Sequence, residues 1–156
     1  MAELAAAAVR LACRPVRRRL RALVPAGARV VVIGHGGADM CVVVAAALAV
    51  GVVVVPVNPG YREGELRHVL VDAGCTLVVD GRDDPGSDPV PGAVCADLGL
   101  RVVSVASLVA ADDAGDEDDD AVVGSDDDPA MLIYTSGTTG RSKGCTHTRR
   151  TCTIRK

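Results

Sequence analysis

Hydrophobic residues form short continuous runs along the first half of the chain, separated by segments of helical pattern. The runs ARVVVIG at 28–34, VVVVPVN at 52–58 and CTLVVD at 75–80 each predict a buried strand, because both faces of such a strand are apolar. Between them, ADMCVVVAAALAVG at 38–51 predicts a buried helix, and from Arg62 to Ala73 apolar residues recur at helical spacing among charged ones. Alternating strands and helices predict a parallel sheet joined by right-handed crossovers.

The pattern is less regular in the second half of the chain. A loop rich in proline, glycine and aspartate covers 83–91, LRVVSV at 100–105 predicts a further strand, and SLVAA at 107–111 predicts a short helix. Between 112 and 128, ten acidic residues stand among few apolar ones, which favours a flexible connection. Hydrophobicity returns at 130–134, where a strand leads directly into a glycine-rich loop. We therefore expect a three-layer α/β fold, a mostly parallel sheet with flanking helices.

A chain of 156 residues has room for one domain with a core, but not for a second. We divide it into an arginine-rich N-terminal helical lead at 1–27, an α/β core at 28–110, an acidic linker at 111–129, and a strand with loop and tail at 130–156. The lead resembles an organelle transit peptide, but it also fits an ordinary amphipathic helix with a solvated arginine face. Both interpretations stay open, and the cytoplasm is the expected location.

Composition and charge argue against several classes of function. The formal net charge is −3, and the sequence has no Phe or Trp and only two Tyr, so its basic and acidic blocks do not support nucleic-acid binding. The uncharged stretch from Met40 to Val57 has the length of a membrane span. Gly51 and Pro56 divide it into a helix and a strand, so we expect no membrane span.

The six cysteines form no CxxC pair, and several lie inside apolar runs. This usage indicates free thiols in a reducing compartment. Cys145, His147 and Cys152 stand close together in sequence, but their spacing does not match a zinc site. We therefore expect no metal site in the protein itself.

The segment TSGTTGRSKG at 135–144 combines glycines, hydroxyl side chains and one of only two lysines in the chain. Glycines let backbone N–H groups converge on an anion, while hydroxyls and an ammonium add further donors. The ligand that such a loop favours is a polyphosphate. The segment is not the P-loop GxxxxGK[ST], because Ser142 and Gly144 occupy the positions of its second glycine and its magnesium-binding hydroxyl.

At Leu132 to Gly144 the sequence resembles the adenylate-forming enzymes, the superfamily of acyl-CoA synthetases, nonribosomal-peptide adenylation domains and beetle luciferases. The segment GVVVVPVNPGYREGELRHVLVDAGCTLVV at 51–79 resembles a second block of that family. The resemblance implies the N-terminal subdomain of the adenylate-forming fold, in incomplete form. It also implies nucleotide binding by eight residues and no catalytic residue here; the eight are Thr135, Ser136, Gly137, Thr138, Thr139, Gly140, Lys143 and Gly144.

The reaction implied by the resemblance has two steps and uses ATP with Mg²⁺. A carboxylic acid attacks the α-phosphate of ATP to give an acyl-adenylate and pyrophosphate, and a thiol of CoA or of a carrier pantetheine then takes the acyl group. By the same resemblance, Ser136, Thr138, Thr139 and Lys143 hold the β- and γ-phosphates, and Gly137 and Gly140 admit them.

The sequence also departs from the family pattern. Only twelve residues follow Gly144, so the family's adenine-binding segment, ribose-binding aspartate and C-terminal lysine have no counterpart, and Arg149 stands where histidine is usual. We expect no adenylation by the isolated chain and at best weak nucleotide binding. The alternative is a non-catalytic nucleotide- or phosphate-binding module that retains only the loop. His35 and His68 receive little weight, since lone histidines are more often structural or solvated than catalytic.

Overall fold

In the computed structural model the described residues are 2–84, 88–110, 122–135 and 140–152. The strands are β1 (Arg29–Gly34), β2 (Val53–Val57), β3 (Leu77–Gly81), β4 (Arg101–Ser104), β5 (Pro129–Thr135) and β6 (Lys143–Thr148). The helices are α1 (Ala2–Leu23), α2 (Ala38–Ala49), α3 (Glu63–Asp72), α4 (Val90–Asp97), α5 (Val105–Val109) and α6 (Arg149–Cys152).

The strands form one six-stranded sheet in the order β4-β3-β1-β2-β5-β6. Strands β1 to β5 run parallel to one another, and among the described strands only β6 runs antiparallel, as the second strand of a hairpin with β5. The central strand β1 pairs with β2 on one side and with β3 on the other, so the chain winds outward in both directions from it. This arrangement confirms the predicted α/β class with a mostly parallel sheet.

Two apolar layers enclose the sheet. On one face, helices α1, α2 and α5 pack together against Val30, Val32 and Val54 of the central strands. On the other face, α3 and α4 cover Val31 and Val55. Because side chains alternate between the faces of a strand, the continuous valine runs of β1 and β2 supply both layers at once. The predicted three-layer architecture is therefore confirmed.

Helix α1 continues through Pro15, and its second half is part of the core. Val16 and Leu20 are fully buried beneath it, and Arg17 is only 3% exposed. The expectation of a solvated arginine face is therefore wrong for Arg17. Arg19 donates hydrogen bonds of 2.6 and 2.9 Å to the carbonyl oxygens of Ser107 and Leu108, which ties α1 to α5.

Two elements differ from the sequence prediction. Helix α4 begins inside the segment expected to be a loop: Pro91 fits its first turn, and Val94 and Cys95 turn inward to the core. Strand β6 was not expected, because its residues are exposed or half-buried and carry no apolar alternation. The stretch from Met40 to Val57 folds as most of α2 followed by β2. Within the described residues, no helix combines the length and apolarity needed to cross a membrane.

The residues before β5 are held against α2 and α6. Arg149 donates hydrogen bonds of 2.6 and 2.5 Å to the carbonyl oxygen of Leu48 in the last turn of α2, and another to the carbonyl of Val123. The backbone N–H of Arg149 donates to the carbonyl of Asp128 at 2.9 Å. A cation at a helix C-terminus satisfies carbonyls that have no partner within the helix. Arg149 thereby joins the end of the β5–β6 hairpin to the body of the domain.

Candidate functional site

Residues 136–142, called the hairpin loop here, join strands β5 and β6, and the structure describes 140–142 of them. Strand β5 runs parallel to β2, with Met131 opposite Val54, so this hairpin loop emerges where the parallel strands end. Open α/β sheets bind their ligands at this carboxyl edge, because strand ends and helix N-termini meet there. The topology therefore places the described ends of the glycine-rich segment, Thr135 and residues 140–144, where a ligand site is expected for this class of fold.

The eight predicted site residues divide into two groups. Thr135 ends β5 and lies opposite Lys143, the first residue of β6, so the structure brings these two together at the base of the hairpin loop. Both side chains are exposed, as is Gly140 in the loop itself. Gly144 lies one position further along β6, opposite Tyr134. Four predicted residues lie outside the described part of the chain: Ser136, Gly137, Thr138 and Thr139.

The two described glycines of the segment are required for different reasons. Gly140 has φ +129°, a conformation that favours glycine, and a Cβ atom there would meet nothing within 4 Å. At Gly144 a Cβ atom would lie 2.9 Å from Cδ1 of Leu132 and 3.2 Å from Cζ of Tyr134. Gly140 therefore keeps an open approach to the loop, whereas Gly144 lets two side chains of β5 pack across β6.

Helix α3 contacts the hairpin through polar side chains. Nε2 of His68 lies 2.8 Å from the carbonyl oxygen of Ser142, and the hydroxyl of Tyr134 donates a 2.6 Å hydrogen bond to Oδ2 of Asp72. The rings of His68 and Tyr134 meet edge to face, with centroids 6.2 Å apart. Burial and the hydrogen bond to Asp72 raise the pKa of the Tyr134 hydroxyl, which stays protonated and able to donate.

Neither His68 nor Asp72 carries a signal in the sequence that marks it as a site residue. Ser142 and His68 are 74 residues apart, and Tyr134 and Asp72 are 62 apart. The helical spacing around Leu66 and Val69 predicted which face of α3 is buried, but no sequence signal shows what the neighbouring positions contact.

An open cleft of about 1210 Å³ separates α3 from the return limb of the hairpin loop. The return limb is residues 140–142, and the lining carries basic groups from both sides, including Arg62 from the start of α3 and Arg141 from the return limb. The carboxylate of Glu65, also in the lining, accepts a 2.9 Å hydrogen bond from the backbone N–H of Arg62. An anionic group next to the loop would therefore have the guanidinium groups of Arg62 and Arg141 in the lining of this cleft.

The described residues near the loop offer no ready cation site. Across the described ranges, no cluster of three or more His, Cys, Asp and Glu side chains has the arrangement of a metal centre. Asp72 and Glu65 are each engaged in a hydrogen bond with a neighbouring group. The donor set at the loop, with an exposed ammonium on Lys143 and an open glycine backbone at Gly140, fits phosphate oxygens and does not by itself fit a bare cation.

Comparison with known proteins agrees with this geometry. The chain matches the family of AMP-binding enzymes over residues 2–155 and belongs to that family. It is 32% identical over 129 residues to a malonate–CoA ligase of Arabidopsis thaliana, which covers 78% of this chain and 21% of that enzyme. The chain thus spans about a fifth of the length of this relative.

Two solved structures show the same fold. ATP-bound MatB from Rhodopseudomonas palustris has a TM-score of 0.75 at 27% identity, over 90% of this chain and 29% of that one. The N-terminal subdomain of NpsA from Klebsiella oxytoca has a TM-score of 0.72 at 27% identity, over 89% of this chain and 34% of that one. The predicted family and the predicted N-terminal subdomain are both confirmed.

Proposed function

We propose that this chain is the N-terminal part of an ATP-dependent ligase that activates a carboxylic acid as its acyl-adenylate and then transfers the acyl group to a thiol. The observation that carries the proposal is the family match over residues 2–155, combined with a hairpin loop of the matching sequence at the carboxyl edge of the sheet. The relative named as a malonate–CoA ligase supports CoA as the acceptor, with a carrier pantetheine as the second candidate.

In this proposal the hairpin loop holds the outer phosphates of ATP. Ser136, Thr138, Thr139 and backbone N–H groups donate to phosphate oxygens, and Lys143 adds its charge from the base of the hairpin. Negative charge accumulates on the departing pyrophosphate, so donors placed there in advance stabilise the transition state, each by about 3 kcal/mol. The loop stabilises charge and supplies neither the nucleophile nor a base. Mg²⁺ accompanies the nucleotide and neutralises part of the phosphate charge, since its preferred ligands are oxygens.

Nucleotide titration of charge variants tests this assignment. Lys143→Ala is expected to weaken MgATP binding about tenfold, the effect of losing about 1.4 kcal/mol from one charge-assisted contact. AMP binding should change less than twofold, because AMP lacks the phosphates that the ammonium would reach. Lys143→Arg keeps the charge and should retain most of the affinity. Arg101→Ala is the matched control, since Arg101 is exposed on β4 at the opposite edge of the sheet. Equal losses for MgATP and AMP would contradict the assignment.

An exchange assay addresses catalytic competence. We propose that the 156-residue chain catalyses no carboxylate-dependent exchange between ATP and pyrophosphate, because it covers about a fifth of the matching ligase. A longer form that includes the remaining family segments should catalyse the exchange with some carboxylic acid. Exchange by the 156-residue chain would refute the claim that the further segments are needed. Nucleotide binding by the longer form without any exchange would favour the alternative, a non-catalytic binding module.

A further inference from the structure

One side chain of α3 contacts the backbone of the hairpin loop itself. Nε2 of His68 lies 2.8 Å from the carbonyl oxygen of Ser142, one residue before Lys143. A carbonyl oxygen can only accept a hydrogen bond, so this contact requires a proton on Nε2 of His68. The contact joins the return limb of the loop to a helix whose Leu66 and Val69 are buried in the core.

The imidazole of His68 is itself held in place. Its ring meets the ring of Tyr134 edge to face, at a centroid distance of 6.2 Å and an interplanar angle of 85°. Tyr134 is 9% exposed, and its hydroxyl is fixed by the 2.6 Å hydrogen bond to Asp72, one turn after His68 on α3. Three side chains therefore form a continuous link from α3 through β5 to the loop backbone.

We infer that His68 is a positioning residue, which fixes the return limb of the hairpin loop through the carbonyl of Ser142 and thereby sets the place of Lys143. The role of this limb in holding phosphate rests on the function proposed above. The positioning itself does not depend on a ligand, so it is measurable in the protein without nucleotide. A side chain that holds a backbone carbonyl lowers the population of open loop conformations by about fivefold for one net hydrogen bond.

Limited proteolysis measures the population of open loop conformations. Trypsin cleaves after Arg141, which is exposed in the loop, and a protease must open the segment around Ser142 to reach that bond. We expect His68→Ala to raise the initial rate of cleavage after Arg141 about fivefold, measured by mass spectrometry without nucleotide. Glu63→Ala is the matched control on the same helix: Glu63 pairs with Arg67 and has no contact with the loop among the described interactions.

Two isosteric variants separate positioning from packing. The amide nitrogen of glutamine reaches the place of Nε2, whereas that of asparagine reaches only the place of Nδ1. His68→Gln should therefore stay within twofold of the wild-type cleavage rate, and His68→Asn should match His68→Ala. Equal rates for His68→Gln and His68→Asn would overturn the inference, as would an equal increase in Glu63→Ala. If His68→Ala does not fold, as judged by circular dichroism, the comparison of the glutamine and asparagine variants decides the question.

A nucleotide titration connects the positioning with the proposed function. Affinity falls only in proportion to the fraction of protein whose loop is closed, so His68→Asn should weaken MgATP binding by no more than the factor by which it raises cleavage. Its unfolding temperature should stay close to that of His68→Gln. If Lys143→Ala weakens MgATP binding, while His68→Asn matches His68→Gln in both cleavage and binding, the positioning role is wrong although the phosphate assignment stands. If cleavage responds to His68 as expected and neither variant changes MgATP binding, the positioning stands and the phosphate assignment has failed.

Discussion

The substitution Gly144→Ala distinguishes two roles of Gly144: binding of the nucleotide, which the sequence motif implies, and packing of side chains within the β5–β6 hairpin. In the structure a Cβ atom at this position would lie 2.9 Å from Cδ1 of Leu132, 3.3 Å from Cγ of Leu132 and 3.2 Å from Cζ of Tyr134. Leu132 supplies two of these three close atoms, and Tyr134, which supplies the third, is buried and anchored to Asp72. Forcing an extra methyl group into such a contact costs about 1–3 kcal/mol, and we expect about 2 kcal/mol here.

A double-mutant cycle with Leu132→Ala isolates this contact. Removing the Leu132 side chain deletes two of the three close approaches to the new Cβ atom of Gly144→Ala. Leu132→Ala alone should cost about 2 kcal/mol, because Leu132 is only half-buried and leaves a small cavity. If the two changes were independent, the double variant would lose about 4 kcal/mol. We expect about 3 kcal/mol, a coupling of about 1 kcal/mol in favour of the double variant.

Urea and thermal unfolding, followed by circular dichroism, measure the three variants against the wild type. A loss of 2 kcal/mol lowers the unfolding temperature of a domain of this size by about 4–8 °C. MgATP affinity is measured in parallel. Additive losses within about 0.4 kcal/mol would refute the packing argument. So would a Gly144→Ala variant of unchanged stability and weakened MgATP binding, because Gly144 would then act at the ligand, as the motif implies.

Two further predictions concern titratable groups. Asp80 and Arg82 form a nearly buried ion pair. Burial tends to raise the pKa of the Asp80 carboxyl. The hydrogen bonds and the charge of Arg82 outweigh burial, so the pKa of Asp80 is lowered. The ion pair therefore stabilises the fold above about pH 4, and this stabilisation is lost as the pH falls through the lowered pKa of Asp80. Arg82→Gln should lower the free energy of unfolding by about 3 kcal/mol at pH 7. The urea midpoints of variant and wild type should converge as the pH falls below about 4; a difference that stays constant with pH would count against the ion pair. Burial, with a smaller effect of Cys95, raises the pKa of the Cys75 thiol to about 11. At pH 8 a chromogenic disulfide should react rapidly with three thiols and with the rest only after unfolding; reaction of all six thiols in the native protein would contradict this. The rapid set is Cys41, Cys145 and Cys152.

The strands at the centre of the sheet were predictable because their environment is uniform. A strand covered by helices on both faces needs apolar residues at every position, and β1, β2 and β3 therefore appear in the sequence as continuous valine-rich runs. Helices α2 and α3 followed from alanine content and helical spacing. The alternation of these elements was enough to predict the parallel sheet and its three layers.

The two elements that the sequence does not predict, β6 and α4, have no such uniform environment. Strand β6 lies at the sheet edge and is largely exposed, so its identity as a strand comes from pairing with β5 and not from apolar alternation. Helix α4 is short and contains Pro91 and Gly92, both typical of loops, and Val94 and Cys95 become core residues only because α3 lies beside them. Local propensity is weak at such positions, and tertiary contacts decide the structure.

The sequence by itself determined the family, the fold class and the composition of the hairpin loop. The donors that glycines, hydroxyl side chains and a lysine supply are fixed by residue type and do not depend on the fold. Only the tertiary structure decided what surrounds the loop. His68 and Asp72 reach the hairpin from a helix more than sixty residues earlier in the chain. The role of Gly144 also depends on tertiary structure, because the neighbouring strand decides whether a glycine faces a ligand or a packed side chain. The pairing of strands in the whole sheet determines which strand that neighbour is.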